Sequence, residues 1–175
     1  MRITNWYVIT GAPCSGKTSV ISEFERLGYR VVHEVARSVI DEELKKGKSL
    51  EEIKADELSF ERHILHKKIG IESFLPENEI IFLDRAVPDS IAYFKLAGLD
   101  FKEPLNKSNL LRYKKIFILQ RLVFEKDRVR SEDDVQAAAL ERLLEESYQN
   151  LGYKPMRIPV LPIRERVDFI LQKLQ

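Results

Sequence analysis

The segment that most constrains this chain lies near its start and reads Gly11-Ala12-Pro13-Cys14-Ser15-Gly16-Lys17-Thr18. It fits the pattern G-x-x-x-x-G-K-[ST], in which glycines let successive backbone N–H groups point at one anion. Residues 6–10 precede it as an apolar, β-branched and aromatic stretch that predicts a buried strand. Apolar residues at helical spacing follow it, namely Val20, Ile21, Phe24 and Leu27. Strand, glycine-rich turn and helix are the context that the pattern requires, which favours a phosphate-binding loop over a chance Gly-Lys-Thr turn.

The loop predicts a nucleotide site in which each residue has an expected position. The residues expected to surround the phosphates are Gly11, Ala12, Pro13, Cys14, Ser15, Gly16, Lys17, Thr18 and Ser19. Lys17 is expected to reach the β- and γ-phosphates and the Thr18 hydroxyl to bind Mg²⁺, so the predicted ligand is ATP with Mg²⁺. Without a nucleotide, we expect Lys17 to project into solvent-filled space. Cys14 is interpreted as a small residue that fills a tight loop, with redox control as the alternative.

Strands alternate with helices along the chain, which predicts an α/β fold with a parallel sheet. The expected strands are residues 6–10, 28–34, 79–84, 115–119 and 156–160. The last is predicted to lie at a sheet edge because Pro159 lacks an N–H donor. Ligands in such sheets bind beyond the carboxyl ends of the strands, and this rule brings Gly11, Glu34, Asp84 and Gln120 to one edge.

Helices are expected between these strands. Ser49 and Glu52 form a capping box, and the helix that they open is predicted to continue to about Phe74. Residues 86–97 predict another helix, and residues 104–112 predict a short helix or a loop. No linker, internal repeat or low-complexity segment divides the chain, so we expect one domain.

Composition narrows the class of protein. The chain has 175 residues and a net charge of +1, which suits a single globular domain without a nucleic-acid partner. Its apolar runs are too short to span a bilayer, it opens with no secretory signal, and its one cysteine excludes an intrachain disulfide. We therefore expect a cytoplasmic protein with no membrane partner, which acts as a monomer or a small homo-oligomer.

Two acids at the ligand edge are candidates for chemistry. Asp84 ends an apolar strand, where it is predicted to hold Mg²⁺; the alternative is an acid that caps the next helix. Glu34 ends the strand after the phosphate loop and is a candidate proton acceptor for an attacking hydroxyl. The alternative for Glu34 is a salt bridge with Arg37, one turn further along, and the two interpretations stay open.

Several arginines are candidates for binding charge that develops in phosphoryl transfer. Arg85 follows Asp84 directly, and Arg128 and Arg130 lie in a predicted lid around residues 121–131. The alternative for that segment is a solvated charged loop. Arg62 is expected to contact an acceptor or to lie at the surface.

Two further patterns in the sequence do not predict a site. His63 and His66 lie one turn apart without a cysteine or further ligand pattern, so structural zinc is not expected. Residues 106–109 differ from the guanine-reading N-K-x-D in their last position, so guanine specificity is not predicted.

Beyond these single residues, longer motifs resemble the AAA-type predicted ATPases, a group that includes the ribosylnicotinamide kinase domain of NAD-biosynthesis regulators. The motifs that carry the resemblance are the phosphate loop, Val32-His33-Glu34-Val35-Ala36-Arg37, Phe60-Glu61-Arg62, residues 83–93 and residues 127–130. The run from Asp84 to Tyr93 is also similar to the Asp-Arg motif of thymidylate kinases. Glu34 matches in position the strand-end glutamate that deoxynucleoside kinases use as a base toward a 5′-hydroxyl.

The resemblance implies a P-loop NTPase fold of the kinase-like type. This is a three-layer α/β/α sandwich with a five-stranded parallel sheet in the order 2-3-1-4-5, together with a lid. It leaves the activity open between two classes. One is a small-molecule kinase that transfers the γ-phosphoryl group of ATP to a hydroxyl or phosphate of a nucleoside- or nucleotide-like acceptor. In this kinase Lys17 and Thr18 are expected to hold ATP and Asp84 the metal. The residues expected to bind the acceptor are Glu34, Arg37, Arg62 and Arg85. The other is a nucleotide-dependent switch or slow ATPase that acts on a protein partner.

Overall fold

A computed structural model describes residues 2–121 and 132–174, with only the backbone of Glu132 and Asp133. The strands are β1 (Arg2–Ile3), β2 (Trp6–Thr10), β3 (Arg30–Val32), β4 (Ile81–Asp84), β5 (Leu111–Arg112), β6 (Lys115–Leu119) and β7 (Met156–Ile158). The helices are α1 (Lys17–Arg26), α2 (Val35–Lys45), α3 (Leu50–Lys54), α4 (Glu57–Phe74), α5 (Asp89–Leu96), α6 (Lys102–Ser108), α7 (Glu132–Asn150) and α8 (Ile163–Leu171). In the described ranges no helix has the length and apolar composition needed to cross a bilayer.

The main sheet has five parallel strands in the order β3-β4-β2-β6-β7. Counted along the chain without the two short strands, this order is 2-3-1-4-5, and the predicted α/β P-loop fold is confirmed. β7 lies at an edge, as Pro159 predicts. The pairing of β1 with β5 in a separate two-stranded sheet was not predicted. Strands of two residues are too short to carry a periodic pattern.

Both faces of the sheet are covered, which explains why β2 is buried along its whole length. Trp6 and Val8 point to one face and contact a cluster that includes Tyr148 of α7. Tyr7 and Ile9 point to the other face, where α1 and α8 cover the sheet. Alternation of side chains along a strand sends successive residues to opposite faces, so one strand serves two cores in a three-layer sandwich.

The prediction of one continuous helix from the capping box to Phe74 is wrong, because this stretch forms two helices. The capping box itself is present: Ser49 N–H donates to Glu52 Oε2 at 2.7 Å, and Glu52 N–H donates to Ser49 Oγ at 3.2 Å. The helix it opens, α3, ends after one turn, and Asp56 begins α4 by accepting a bond from Ser59 N–H at 3.0 Å. Asp56 favours a cap over a helix interior because its side chain competes for backbone donors.

Other boundaries shift without changing the topology. β3 and β4 are shorter than the stretches 28–34 and 79–84 that predicted them. α5 begins at Asp89, since residues 86–88 form a turn after β4. Residues 104–112, predicted as a short helix or loop, contain the end of α6 and then β5.

Candidate active site

The phosphate loop connects β2 to α1 with the backbone that its glycines allow. Gly11 has φ 147° and Gly16 has φ 81°. A Cβ atom on Gly11 would lie 2.6 Å from the carbonyl oxygen of Leu119, so only glycine fits there. Cys14 is the unusual member, with φ 60° and an exposed thiol. The loop ends at the N-terminus of α1, where free N–H groups and the helix dipole favour an anion.

Lys17 does not project into open solvent, and the expectation that it would is wrong. Its side chain folds back over the loop, where Nζ donates to the Ala12 carbonyl at 2.9 Å and to Ser15 Oγ at 3.1 Å. Only 7% of the residue is exposed. Burial, followed by the charge of Arg85, lowers the pKa of Lys17 to about 8. The loop therefore supplies two acceptors for the Lys17 ammonium group, the Ala12 carbonyl and Ser15 Oγ. When a nucleotide binds, phosphate oxygens would take the place of these two acceptors.

Asp84 ends β4 beside β2 and is only 2% exposed. Its Oδ1 is buried and has no hydrogen-bond partner among the described residues. Burial, with the nearby charge of Glu34, raises the pKa of Asp84 to about 6. The helix-cap alternative does not hold, because Asp89 rather than Asp84 accepts the bond from Ala86 N–H in the following turn, at 2.9 Å. An unpaired buried carboxylate oxygen is what a cation would satisfy.

The groups predicted to hold Mg²⁺ are chemically suited to it. Asp84 offers a carboxylate and Thr18 a hydroxyl, both of them oxygen ligands of the kind that Mg²⁺ prefers. Among the described residues there is no cluster of three or more His, Cys, Asp or Glu side chains that would hold a metal by itself. Mg²⁺ in phosphotransfer sites takes one or two protein ligands and completes its shell with phosphates and water. The residues present fit that type of site.

Glu34 and Arg85 form an ion pair, and the alternative salt bridge of Glu34 with Arg37 is replaced by it. Arg85 Nε donates to Glu34 Oε1 at 2.9 Å. Arg85 has φ 67° and its N–H donates to the Ile9 carbonyl at 3.0 Å, so an unusual backbone conformation aims the side chain. The guanidinium lies over the ring of Tyr93, 5.2 Å from its centroid. Arg37 is exposed on α2.

Asp89 holds the turn after β4 in place behind this pair. It is fully buried and accepts hydrogen bonds from Thr10 Oγ1, Ala86 N–H and the hydroxyl of Tyr148. Arg85 Nη1 lies 3.8 Å from its Oδ1. Because three donors from different segments converge on one carboxylate, Asp89 is a structural residue that positions the strand end carrying Asp84 and Arg85.

Beside the Glu34–Arg85 pair lies a cavity of about 290 Å³. It is bounded by α2, α3, α4 and α5, and the described residues that line it are Glu34, Ala36, Ile40, Lys54, Glu57, Phe60, Glu61, Ile64, Lys68, Arg85 and Tyr93. Charged side chains and apolar or aromatic side chains both line it, and small-molecule sites combine apolar surface with placed polar groups in this way. The order of the strands puts β4, and with it Asp84, between the phosphate loop and Glu34. Glu34 does not end the strand, as predicted, because β3 stops at Val32 and Glu34 is the N-cap of α2.

The structure separates the predicted site residues into two groups. The phosphate loop, Glu34, Asp84 and Arg85 lie together at the carboxyl edge of the sheet. Arg62 does not line the cavity, because its Nε donates to Glu103 of α6 at 3.0 Å on the outer side of α4. Arg37 is also absent from the cavity wall. Arg128, Arg130 and the predicted lid, apart from Arg121, lie outside the described residues.

Three buried charged residues near the site were not predicted. Glu61 and Lys68 lie on the inner face of α4, and their spacing of seven residues within an apolar stripe is the signal that identifies them. Arg166 of α8 donates from Nη1 to the Ser15 carbonyl at 2.5 Å. No local pattern points to Arg166, because its partner is 151 residues away in the chain.

These observations define the class of protein. A phosphate loop after the central strand, an acid at the end of the neighbouring strand and the strand order 2-3-1-4-5 together make a P-loop fold of the kinase-like type. The chain belongs to the AAA domain family, which matches residues 6–166. No protein with a curated description matches the sequence.

Solved structures with the same fold include two kinases and a NadR protein, all at low sequence identity. Deoxyadenosine kinase from M. mycoides, with products dCMP and a flexible dCDP bound, is 19% identical with a TM-score of 0.63, and 97% of each chain is covered. Thymidylate kinase from Ehrlichia chaffeensis is 16% identical with a TM-score of 0.69, and both chains are covered fully. NadR protein in complex with NR is 19% identical with a TM-score of 0.70; 97% of this chain covers 51% of that one, about half its length.

Proposed function

We propose that this protein is a small-molecule kinase that transfers the γ-phosphoryl group of ATP to a hydroxyl of a nucleoside- or nucleotide-like acceptor. One observation carries the proposal: the cavity has an ion-paired carboxylate, Glu34, at its wall and lies next to the end of β4. Asp84 at that strand end lies between the cavity and the phosphate loop. A nucleotide switch or simple ATPase needs the loop and the metal site, but it has no use for a second small-molecule cavity. The kinase folds of the structural neighbours support the same interpretation.

In this proposal the acceptor hydroxyl enters beside Glu34. Its oxygen attacks the γ-phosphorus of ATP, the bond from that phosphorus to the bridging oxygen breaks, and ADP leaves with the electron pair. The hydroxyl proton passes to the Glu34 carboxylate, which Arg85 holds in position at 2.9 Å. Lys17 and the N–H groups of the loop bind the phosphates, and Asp84 with Thr18 would hold Mg²⁺, which supplies charge neutralisation on the phosphate oxygens.

Acceptor-dependent release of ADP tests the proposal. We expect the protein to consume ATP slowly alone and much faster with one class of nucleosides or nucleotides, each phosphorylated product being identified by mass. Lys17→Ala is the control that should lose both reactions, because both need bound phosphates. ATP hydrolysis that no small molecule accelerates, across nucleosides, nucleotides and sugars, would contradict the kinase and favour a switch.

A further inference from the structure

Two buried charged side chains, Glu61 and Lys68, line the cavity beside the Glu34–Arg85 pair, which we call the acceptor cavity. The proposed phosphoryl transfer gives neither of them a role. Glu61 and Lys68 lie on the same face of α4. Glu61 is 9% exposed and has no hydrogen-bond partner among the described residues. Lys68 is buried, and its Nζ donates one bond, to Ser90 Oγ at 3.3 Å. An ammonium group has three donors, so part of the hydrogen-bonding capacity of both residues is unused.

The charges around the cavity are balanced. Among the described residues that line it, the acids are Glu34, Glu57 and Glu61, and the bases are Lys54, Lys68 and Arg85. Arg85 and Glu34 already form a pair with each other. A phosphate monoester brings roughly −1.5 to −2 charges at pH 7, and the described residues of this wall supply no surplus of cations to match them. An uncharged molecule enters the cavity without that cost.

The remaining walls indicate what kind of uncharged molecule fits. Phe60 and Tyr93 contribute rings, and Ala36, Ile40 and Ile64 contribute aliphatic surface. Apolar and aromatic walls suit a flat heterocyclic ring. Glu61 accepts hydrogen bonds and Lys68 donates them, so together they match a ring with an N–H donor and a carbonyl or ring-nitrogen acceptor. Burial raises the pKa of Glu61, while the charge of Lys68 opposes the rise.

We propose that the acceptor is an uncharged nucleoside rather than a nucleoside monophosphate, with Glu61 and Lys68 reading the polar edge of its base. This inference rests on the proposed kinase function, which it deepens by naming the acceptor class. Glu61 is a specificity-determining residue that contacts the acceptor at a distance from the reacting hydroxyl. A buried carboxylate discriminates strongly between nucleosides, because a base without an N–H donor at this position would leave the carboxylate unpaired.

Binding without ATP tests the inference apart from catalysis. Calorimetry on the full chain with nucleosides and the matching 5′-monophosphates should show a nucleoside that binds at least about 10-fold more tightly than its monophosphate. Glu61→Gln keeps the shape of the side chain but replaces one acceptor oxygen with a donor. It should lower the affinity for that nucleoside by roughly 10- to 100-fold. The affinity for ATP should not change. Glu51→Gln, on the exposed side of α3, is the matched control and should change neither.

A second variant guards against a folding defect. Glu61→Asp keeps the charge and withdraws it by one methylene, so its loss of nucleoside affinity should be smaller than that of Glu61→Gln, with a similar melting temperature. The inference is overturned if monophosphates bind more tightly than nucleosides, if neither class binds, or if Glu61→Gln binds the nucleoside as the wild type does. Tight binding and phosphorylation of a monophosphate would overturn the inference and leave the kinase intact. A bound nucleoside that is never phosphorylated would support the cavity assignment and remove the proposed kinase.

Discussion

Glu34 is the residue on which the acceptor half of the site depends. Its carboxylate contacts Arg85, not Arg37, and this ion pair keeps it at the cavity wall. We predict that Glu34→Gln slows phosphoryl transfer by roughly 10²–10⁴, the usual contribution of a positioned proton acceptor. A loose transition state that deprotonates its nucleophile late would bring the loss to the lower end of that range. ATP affinity, measured by calorimetry, should stay the same because the donor binds on the Lys17 side.

The ratio of transfer to background hydrolysis isolates the role of Glu34. Hydrolysis uses water in place of the acceptor, so it should fall much less than transfer in the same variant. Equal losses in both reactions would assign Glu34 to the organisation of the metal instead. Unchanged rates in both would leave it as a structural partner of Arg85.

Asp84 and Asp89 form a matched pair of buried acids with opposite expected behaviour. Asp84 has an unpaired oxygen, whereas Asp89 accepts bonds from three segments. We predict that Asp84→Asn lowers activity and raises the Mg²⁺ concentration needed for half-maximal rate, with thermal stability kept or increased. The stability is kept because the change removes a carboxylate whose burial is unfavourable when it is charged.

Asp89→Asn is the control for that prediction. It should lower the melting temperature, since losing bonds within a buried network costs about 1–3 kcal/mol for each group left unpaired. The Mg²⁺ requirement should rise less in the Asp89 variant than in Asp84→Asn, because Asp89 positions the strand end without offering an unpaired oxygen to the metal. If Asp84→Asn instead melts earlier and keeps its Mg²⁺ requirement, Asp84 is a structural residue and the metal assignment is wrong.

At the scale of elements, α8 supports the phosphate loop from outside the motif. Arg166 of α8 is 2% exposed, donates to the Ser15 carbonyl, and leaves Nε and Nη2 without partners among the described residues. Its Nη1 would lie 3.3 Å from a Cβ atom on Gly16. The guanidinium therefore fixes the loop backbone just before α1 begins, and it adds a positive charge close to where phosphates are expected.

We predict that Arg166→Met weakens MgATP binding by roughly 10-fold or more, the effect of one hydrogen bond from a charged donor. Stability should change little, because removing the two buried nitrogens that lack partners offsets the lost hydrogen bond to the Ser15 carbonyl. Calorimetry and thermal melting measure the two effects separately. Arg164→Met, on the exposed side of the same helix, should change neither. An Arg166 variant that melts early but binds ATP normally would show that the residue only holds α8 in place.

The contrast between the loop and Arg166 shows which parts of the fold and site can be predicted from sequence. The phosphate loop, Asp84 and the parallel sheet are encoded locally, in a motif and in apolar runs that end on acids. Arg166 contacts a residue 151 positions away in the chain, and Glu34 contacts one 51 positions away. No local pattern encodes contacts at such separations. The motif predicts Lys17 in open space because it describes the nucleotide-bound loop, whereas in this structure the Lys17 ammonium binds the loop itself.

At the scale of the whole molecule, Glu72 connects segments that are distant in the chain. The Tyr113 hydroxyl donates to its Oε2 at 2.6 Å and Val87 N–H donates to its Oε1 at 3.1 Å. These bonds join α4 to the turn after β4 and to the segment before β6. The charge of Lys68 lowers the pKa of Glu72, and the charge of Asp89 raises it. Burial dominates and raises the pKa of Glu72 to about 7.

A raised carboxyl pKa makes the stability of the whole fold depend on pH. Between pH 4.5, the ordinary pKa of a glutamate, and about 7, the folded protein keeps the proton on Glu72 while the unfolded chain has lost it. The folded state then binds more protons, so its free energy of unfolding falls as pH rises through this window. Above pH 7 both states are ionised and the contribution of Glu72 no longer changes.

We predict that the difference in unfolding free energy between the wild type and Glu72→Gln changes by on the order of 3 kcal/mol across this window, to the disadvantage of the wild type at higher pH. Urea unfolding at pH 5, 6, 7 and 8 measures it. Taking the difference cancels the parallel contribution of Asp84, whose raised pKa is common to both proteins. Stability curves of the two proteins that run parallel from pH 5 to 8 would mean that Glu72 is ionised throughout, held charged by the Tyr113 hydroxyl, Val87 N–H and Lys68.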